Sequence, residues 1–80
     1  MRPALPEWRC TRPAPYKPMT AVADRDGHYI HAATAQDAAD VMLARYRDDD
    51  RVDVQAWHDA KGGPAKDTSV CLRASRPVRA

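Results

Sequence analysis

Three histidines, two cysteines and a run of three aspartates are the side chains here whose chemistry reaches beyond packing. His28, His31 and His58, with Cys10 or Cys71, are the residue types that ligate zinc. His28 and His31 are three positions apart. In a strand that spacing sends them to opposite faces, so they share no metal without a bulge. Cys10 and Cys71 stand sixty-one positions apart, in no metal-like spacing. Neither has a histidine and an orienting partner in the pattern a thiol nucleophile needs. Asp48, Asp49 and Asp50 are cation-ligand and acid–base types. Three consecutive side chains on a helix-end loop diverge, and a fold this small has little with which to dry them. Lys61-Gly62-Gly63-Pro64 joins two strand-like segments and precedes no helix, so it is not a phosphate loop. The sequence therefore assigns no catalytic residue, no metal and no cofactor, and the chain is expected not to be an enzyme.

The distribution of charge points to partners instead. The net charge of +2 divides into a basic start, an acidic centre and a basic end. Residues 1–18 carry Arg2, Arg9, Arg12 and Lys17 against Glu7 alone. Residues 19–60 carry nine aspartates against Arg25, Arg45, Arg47 and Arg51. Residues 61–80 carry Lys61, Lys66, Arg73, Arg76 and Arg79 against Asp67. Such asymmetry speaks to association, not to fold. The acidic centre, with Asp37, Asp40, Asp48, Asp49, Asp50, Asp53 and Asp59, would complement a basic protein surface that otherwise holds nucleic acid. Trp57, Tyr29 and Tyr46 are anchors of the kind interfaces use. The plain alternative for Trp57 is cover by the N-terminal segment, with Trp8 beside it. The basic ends support a second reading, a nucleic-acid-binding module that holds phosphates and stacks a base on Trp8.

The elements that must position these residues are marked locally. Residues 1–18 hold Pro3, Pro6, Pro13, Pro15 and Pro18. Proline lacks an amide donor and disfavours helix before it, so an extended basic arm is expected outside the core. Met19 to Asp24 alternates weakly as a first strand. Asp24 to Gly27 is a turn in which Gly27 takes the left-handed conformation, and His28 to Ala33 returns. Thr34 is a helix N-cap, with Asp37 in the place of the capping-box acid. Ala35, Ala38, Ala39, Met42, Leu43 and Tyr46 then recur at helical spacing. Asp48-Asp49-Asp50 falls at the negative end of the helix dipole, a local conflict. Arg51 to His58 alternates cleanly, with Val52, Val54 and Ala56 opposed to Asp53, Gln55 and Trp57. A flexible loop around Lys61 to Pro64 leads to a last strand, Thr68 to Ala74, and residues 75–80 form a basic tail.

The expected fold is α+β: one domain over residues 19–74, in hairpin–helix–hairpin order. Three or four antiparallel strands carry one helix on one face. A single helix leaves the face with Tyr29, His31, Asp53, Gln55, Trp57, Ser69, Cys71 and Arg73 uncovered. Eighty residues make one small domain. No apolar run is long enough to span a bilayer. The start, MRPALPEWRC, lacks the apolar region of a secretory signal. The expected compartment is the cytoplasm, where both cysteines are free thiols. Once oxidised, Cys71 on an open face or Cys10 on a free arm would link two copies, so a homodimer is among the expectations.

In general build the chain resembles small phage-encoded anti-CRISPR proteins, inhibitors of type I systems. The resemblance lies in the length and in three segments: YKPMTAVADRDGHYIHA, TAQDAADVMLARY and RVDVQAWHDAKGGPAKDTSVCLRAS. It implies a non-enzymatic inhibitor in the host bacterial cytoplasm that binds the RNA-guided surveillance complex and keeps target DNA from its basic surface. The resemblance supplies no site positions. The candidate partner-binding residues Asp37, Asp40, Asp48, Asp49, Asp50, Asp53 and Trp57 come from the charge and strand pattern alone.

Overall fold

The computed structural model describes residues 4–13, 21–22 and 25–76. Two antiparallel strand pairs and one helix follow in the order β1 (Glu7–Thr11), β2 (His28–His31), α1 (Ala35–Arg45), β3 (Arg51–His58) and β4 (Val70–Ser75). The strands form one antiparallel sheet in the spatial order β2-β1-β3-β4. The α+β class, with four strands and one helix, is therefore as the sequence implies.

The first strand is not where its pattern suggested. The expected strand at Met19 to Asp24 lies largely outside the described residues, and Ala21 and Val22 belong to no strand. Its place is taken by Glu7–Thr11, from inside the supposed arm, which becomes an inner strand between β2 and β3. The physical reason is the gap in the prolines. Residues 7–12 contain none, so every amide of β1 can donate to a neighbouring strand. Pro6 and Pro13 flank that window, and Pro6 contributes its carbonyl, which accepts from the Ala32 amide at 3.1 Å. Alternation does the rest. Trp8 and Cys10 face the helix, and Arg9 takes the other side.

α1 begins as its cap predicts. Thr34 is extended, and its hydroxyl accepts from the Asp37 amide at 3.1 Å. Ala38, Ala39 and Met42 bury against Cys10, Ile30, Val52, Val54 and Ala74, and this layer is the core. Small alanines let the helix axis approach the sheet closely.

The acidic helix end is stabilised from both termini. The Arg76 guanidinium donates to the carbonyls of Leu43 (2.6 Å), Tyr46 (3.3 Å) and Asp49 (3.2 Å), placing positive charge on the negative dipole end. Arg12 pairs with both Asp49 oxygens, at 2.6 and 3.1 Å, and lies 4.0 Å over the Tyr46 ring. The local conflict read from three aspartates is thus answered by residues distant in sequence.

Two glycines have separate reasons. Gly62, at φ +86°, sits in the left-handed region. It lies in a turn pinned by Asp59, whose Oδ1 accepts from the amides of Lys61 and Gly63, both at 2.8 Å. The loop expected to be flexible is thus held by its own side chain. Gly27 does not take the left-handed conformation expected of it. It is small because Arg9 passes over it: a β-carbon there would meet Arg9 Nε at 2.6 Å.

The second sheet face is not bare. Val22 and Arg25, which lie between β1 and β2, sit against it, and Arg9 donates to the Val22 carbonyl at 3.1 Å and to the Arg25 carbonyl. Four polar residues of that face, Arg9, Thr11, Asp53 and Gln55, are buried.

Candidate partner-binding surface

The seven residues expected to bind a partner fall in three places. Asp37 and Asp40 are exposed on the solvent side of α1, and Asp48 and Asp50 in the turn that follows. Among the described residues none of these four is in an ion pair. Asp40 accepts from the Gln36 amide at 2.9 Å. Asp37, Val41 and Ala44 fall on one stripe at helical spacing, with Asp40 beside it. Val41 is 40% exposed, unusually bare for its type, and gives this stripe an apolar centre.

Asp49 and Asp53 belong to the interior architecture instead. Asp49 is held by Arg12. Asp53 is 6% exposed and takes Arg25 on one oxygen (3.1 Å) and Arg73 on the other (3.5 Å). Strand alternation marked Asp53 as outward-facing, and it does point away from the helix. Arg25, from between β1 and β2, then lies on it.

Trp57 is half-buried on the side of the sheet opposite α1. It packs on Tyr29 at 5.6 Å between ring centroids, with the Arg9 guanidinium 5.9 Å from its ring. No single flat docking surface therefore contains both Asp40 and Trp57. Tyr46, read as a third anchor, is committed to Arg12 and to His28, 5.3 Å away between ring centroids.

One cluster was invisible in the sequence. Glu7 bridges two histidines, with His58 Nδ1 at 2.7 Å from one oxygen and His31 Nε2 at 3.3 Å from the other. The three residues lie far apart in the chain and meet only through the β2-β1-β3 register. They line an open groove of about 750 Å³ with Leu5, Asp59 and Lys61. Among the described residues no three His, Cys, Asp or Glu side chains are placed to hold a metal ion.

The basic residues counted for the alternative reading are largely spent. Arg9, Arg12 and Arg76 are bound to carbonyls or carboxylates within the fold. Trp8 packs against the core and donates its indole N–H to the Ala32 carbonyl at 2.9 Å. Arg2, Lys17 and Arg79 lie outside the described residues. Of Arg9, Arg12, Arg73 and Arg76 only Arg73 has a largely exposed side chain, at 73%, and Lys61 and Lys66 are exposed as well.

The cysteines separate as well. Cys10 is on no free arm: it is fully buried in the core. Burial, reinforced by nearby Cys71, pushes its thiol from the ordinary 9.0 up to about 11. Cys71 is exposed, at a bulge where Val54 faces Leu72 and Gln55 faces Val70. Any disulfide between folded copies must run through Cys71. At pH 8 a thiol-alkylating reagent is expected to label one site per native chain and two in denaturant. Rapid native labelling of both would show that Cys10 is accessible. The same shift predicts alkaline destabilisation. The unfolded thiol ionises near 9 and the folded one near 11, so stability from this group is intact below pH 9 and falls as pH rises toward 11.

Among the described residues no helix is long and apolar enough to cross a membrane. Comparison with protein-family models, with curated proteins and with solved structures finds no match.

Proposed function

We propose that this chain is a non-enzymatic, stoichiometric inhibitor that docks through the solvent side of α1 onto a basic protein surface. The observation that carries this reading is the anatomy of that side. Exposed Val41 is flanked by Asp37 and Asp40, carboxylates left outside every described ion pair, with Asp48 and Asp50 at its end. An apolar centre with a charged rim is the arrangement of protein interfaces. Unpaired carboxylates raise the association rate with a basic partner and orient it. A partner of that kind is the DNA-binding surface of a multisubunit RNA-guided surveillance complex, the target of the anti-CRISPR proteins that the chain resembles. Occupying that surface keeps target DNA away, and the site of action is then the cytoplasm of a host bacterium.

The test combines Asp37→Asn, Asp40→Lys and Asp48→Lys. None of these side chains holds the fold: the Thr34 cap uses the Asp37 amide, which the variant keeps. With a purified type I surveillance complex and labelled target DNA, the native chain is expected to block DNA loading. The triple variant is expected to lose roughly tenfold or more of that potency. Undiminished inhibition by a folded triple variant would rule out this docking side.

A further inference from the structure

Arg9 is hydrogen-bonded within the fold, but among the described residues no carboxylate offsets its charge. It is 6% exposed, and its guanidinium donates to the Gln55 side-chain oxygen at 2.7 Å and to the carbonyls of Val22 and Arg25. All of these acceptors are uncharged, and among the described residues no carboxylate pairs with it. Asp53, the carboxylate on the same face, is already shared by Arg25 and Arg73. Buried charges are ordinarily paired, because desolvation without a counter-charge is costly. Water screens a buried cation poorly, so its field reaches the surface above it. Beside it on the same face stand Tyr29, 49% exposed, and Trp57, whose ring is 5.9 Å from the guanidinium.

We infer that the part of this face that carries Tyr29 and Trp57, beside the residues that cover Arg9, binds single-stranded nucleic acid. The occupant follows from what the two aromatics and the cations offer together. A base has a flat π-face that stacks on Tyr29 or Trp57 whatever its identity. The backbone phosphate beside it is the anion that Arg9, from below, and Arg73, at 73% exposure, attract. A duplex offers no unstacked base to the aromatic pair. An acidic peptide offers the charge without the flat ring. This surface is distinct from the acidic side of α1, and its binding does not depend on the inhibitor reading.

Fluorescence anisotropy with a labelled oligothymidine of about 15 nucleotides tests this. The native chain is expected to bind the single strand, more weakly as salt rises, and to bind the matching duplex less well. Tyr29→Ala is expected to reduce affinity about tenfold, whereas Tyr29→Phe keeps the ring and retains binding. Arg73→Gln is expected to flatten the salt dependence. Circular dichroism confirms that each variant is folded. Absence of binding at low salt, equal affinity for duplex, indifference to Tyr29→Ala, or full competition by oligoglutamate would each overturn the assignment.

Discussion

Asp53→Ala destabilises this fold by about 3–5 kcal/mol, the range for breaking a buried ion pair by removing one partner. The Asp53 carboxylate pairs with Arg25, whose side chain is nearly as buried, and it lies on the same face as buried Arg9. Removing it takes away the carboxylate that Arg25 and Arg73 share on that face. Arg73 adds little to the effect, because its side chain is largely in water. A domain of this size has about 5 kcal/mol or little more in hand, so the loss takes most of it. Urea denaturation measures it as a fall in the midpoint. Asp48→Ala serves as the comparison, since that exposed carboxylate is in no described ion pair and its loss is expected to stay within about 0.5 kcal/mol. A native-like midpoint for Asp53→Ala would mean that the pairing of Asp53 with Arg25 and Arg73 contributes nothing. The prediction also separates two roles that charge counting merges. Asp53 is part of the acidic centre by sequence and part of the interior by position.

Met42→Ala is expected to lose about 2–5 kcal/mol, while Val41→Ala, one residue earlier, changes stability by less than about 0.5 kcal/mol. Met42 is 2% exposed and is among the largest fully enclosed side chains of the core. It belongs to the cluster that α1 forms with Val52 and Val54 of the sheet. Alanine there leaves a cavity as well as a loss of transfer energy. Val41 is 40% exposed, and alanine is the better helix former. For a domain this small, the Met42 variant should melt at least about 10 °C lower. Equal melting temperatures for the two variants would mean that α1 is rotated about its axis from the placement described. That outcome would also remove Val41 from the docking stripe, so this measurement bears on function as well as stability.

Much of the fold was readable because its signals are local. The Thr34 cap, the run of helical spacing to Tyr46 and the alternation from Arg51 to His58 each involve residues within one element. The misplaced first strand is the instructive failure. Five prolines dominate the composition of residues 1–18, yet a strand needs only a proline-free window with alternating character, and Glu7 to Thr11 has both. The conformation of Gly27 was misread for a related reason. Its local sequence permits a left-handed turn, but the Arg9 side chain, eighteen positions earlier, sets what happens there. Of the candidate partner-binding residues, exposure could be anticipated where the helix period dictates it, at Asp37 and Asp40. It could not be anticipated where partners come from a distant segment, at Asp49 and Asp53.

By itself the chain determined its class, its helix, its last two strands within two residues at each end, and the separation of charge along its length. These follow from backbone chemistry and periodicity, which act over a few residues. Tertiary structure alone decided which charges remain for a partner. Arg12 was spent on Asp49, Arg25 on Asp53, Arg76 on the end of α1 and Glu7 on two histidines, while Arg9 was buried with no counter-ion among the described residues. The reason is that charge pairing depends on distance in space. The strand register and the seating of Val22 and Arg25 on the sheet set those distances, and neither is encoded within any single segment.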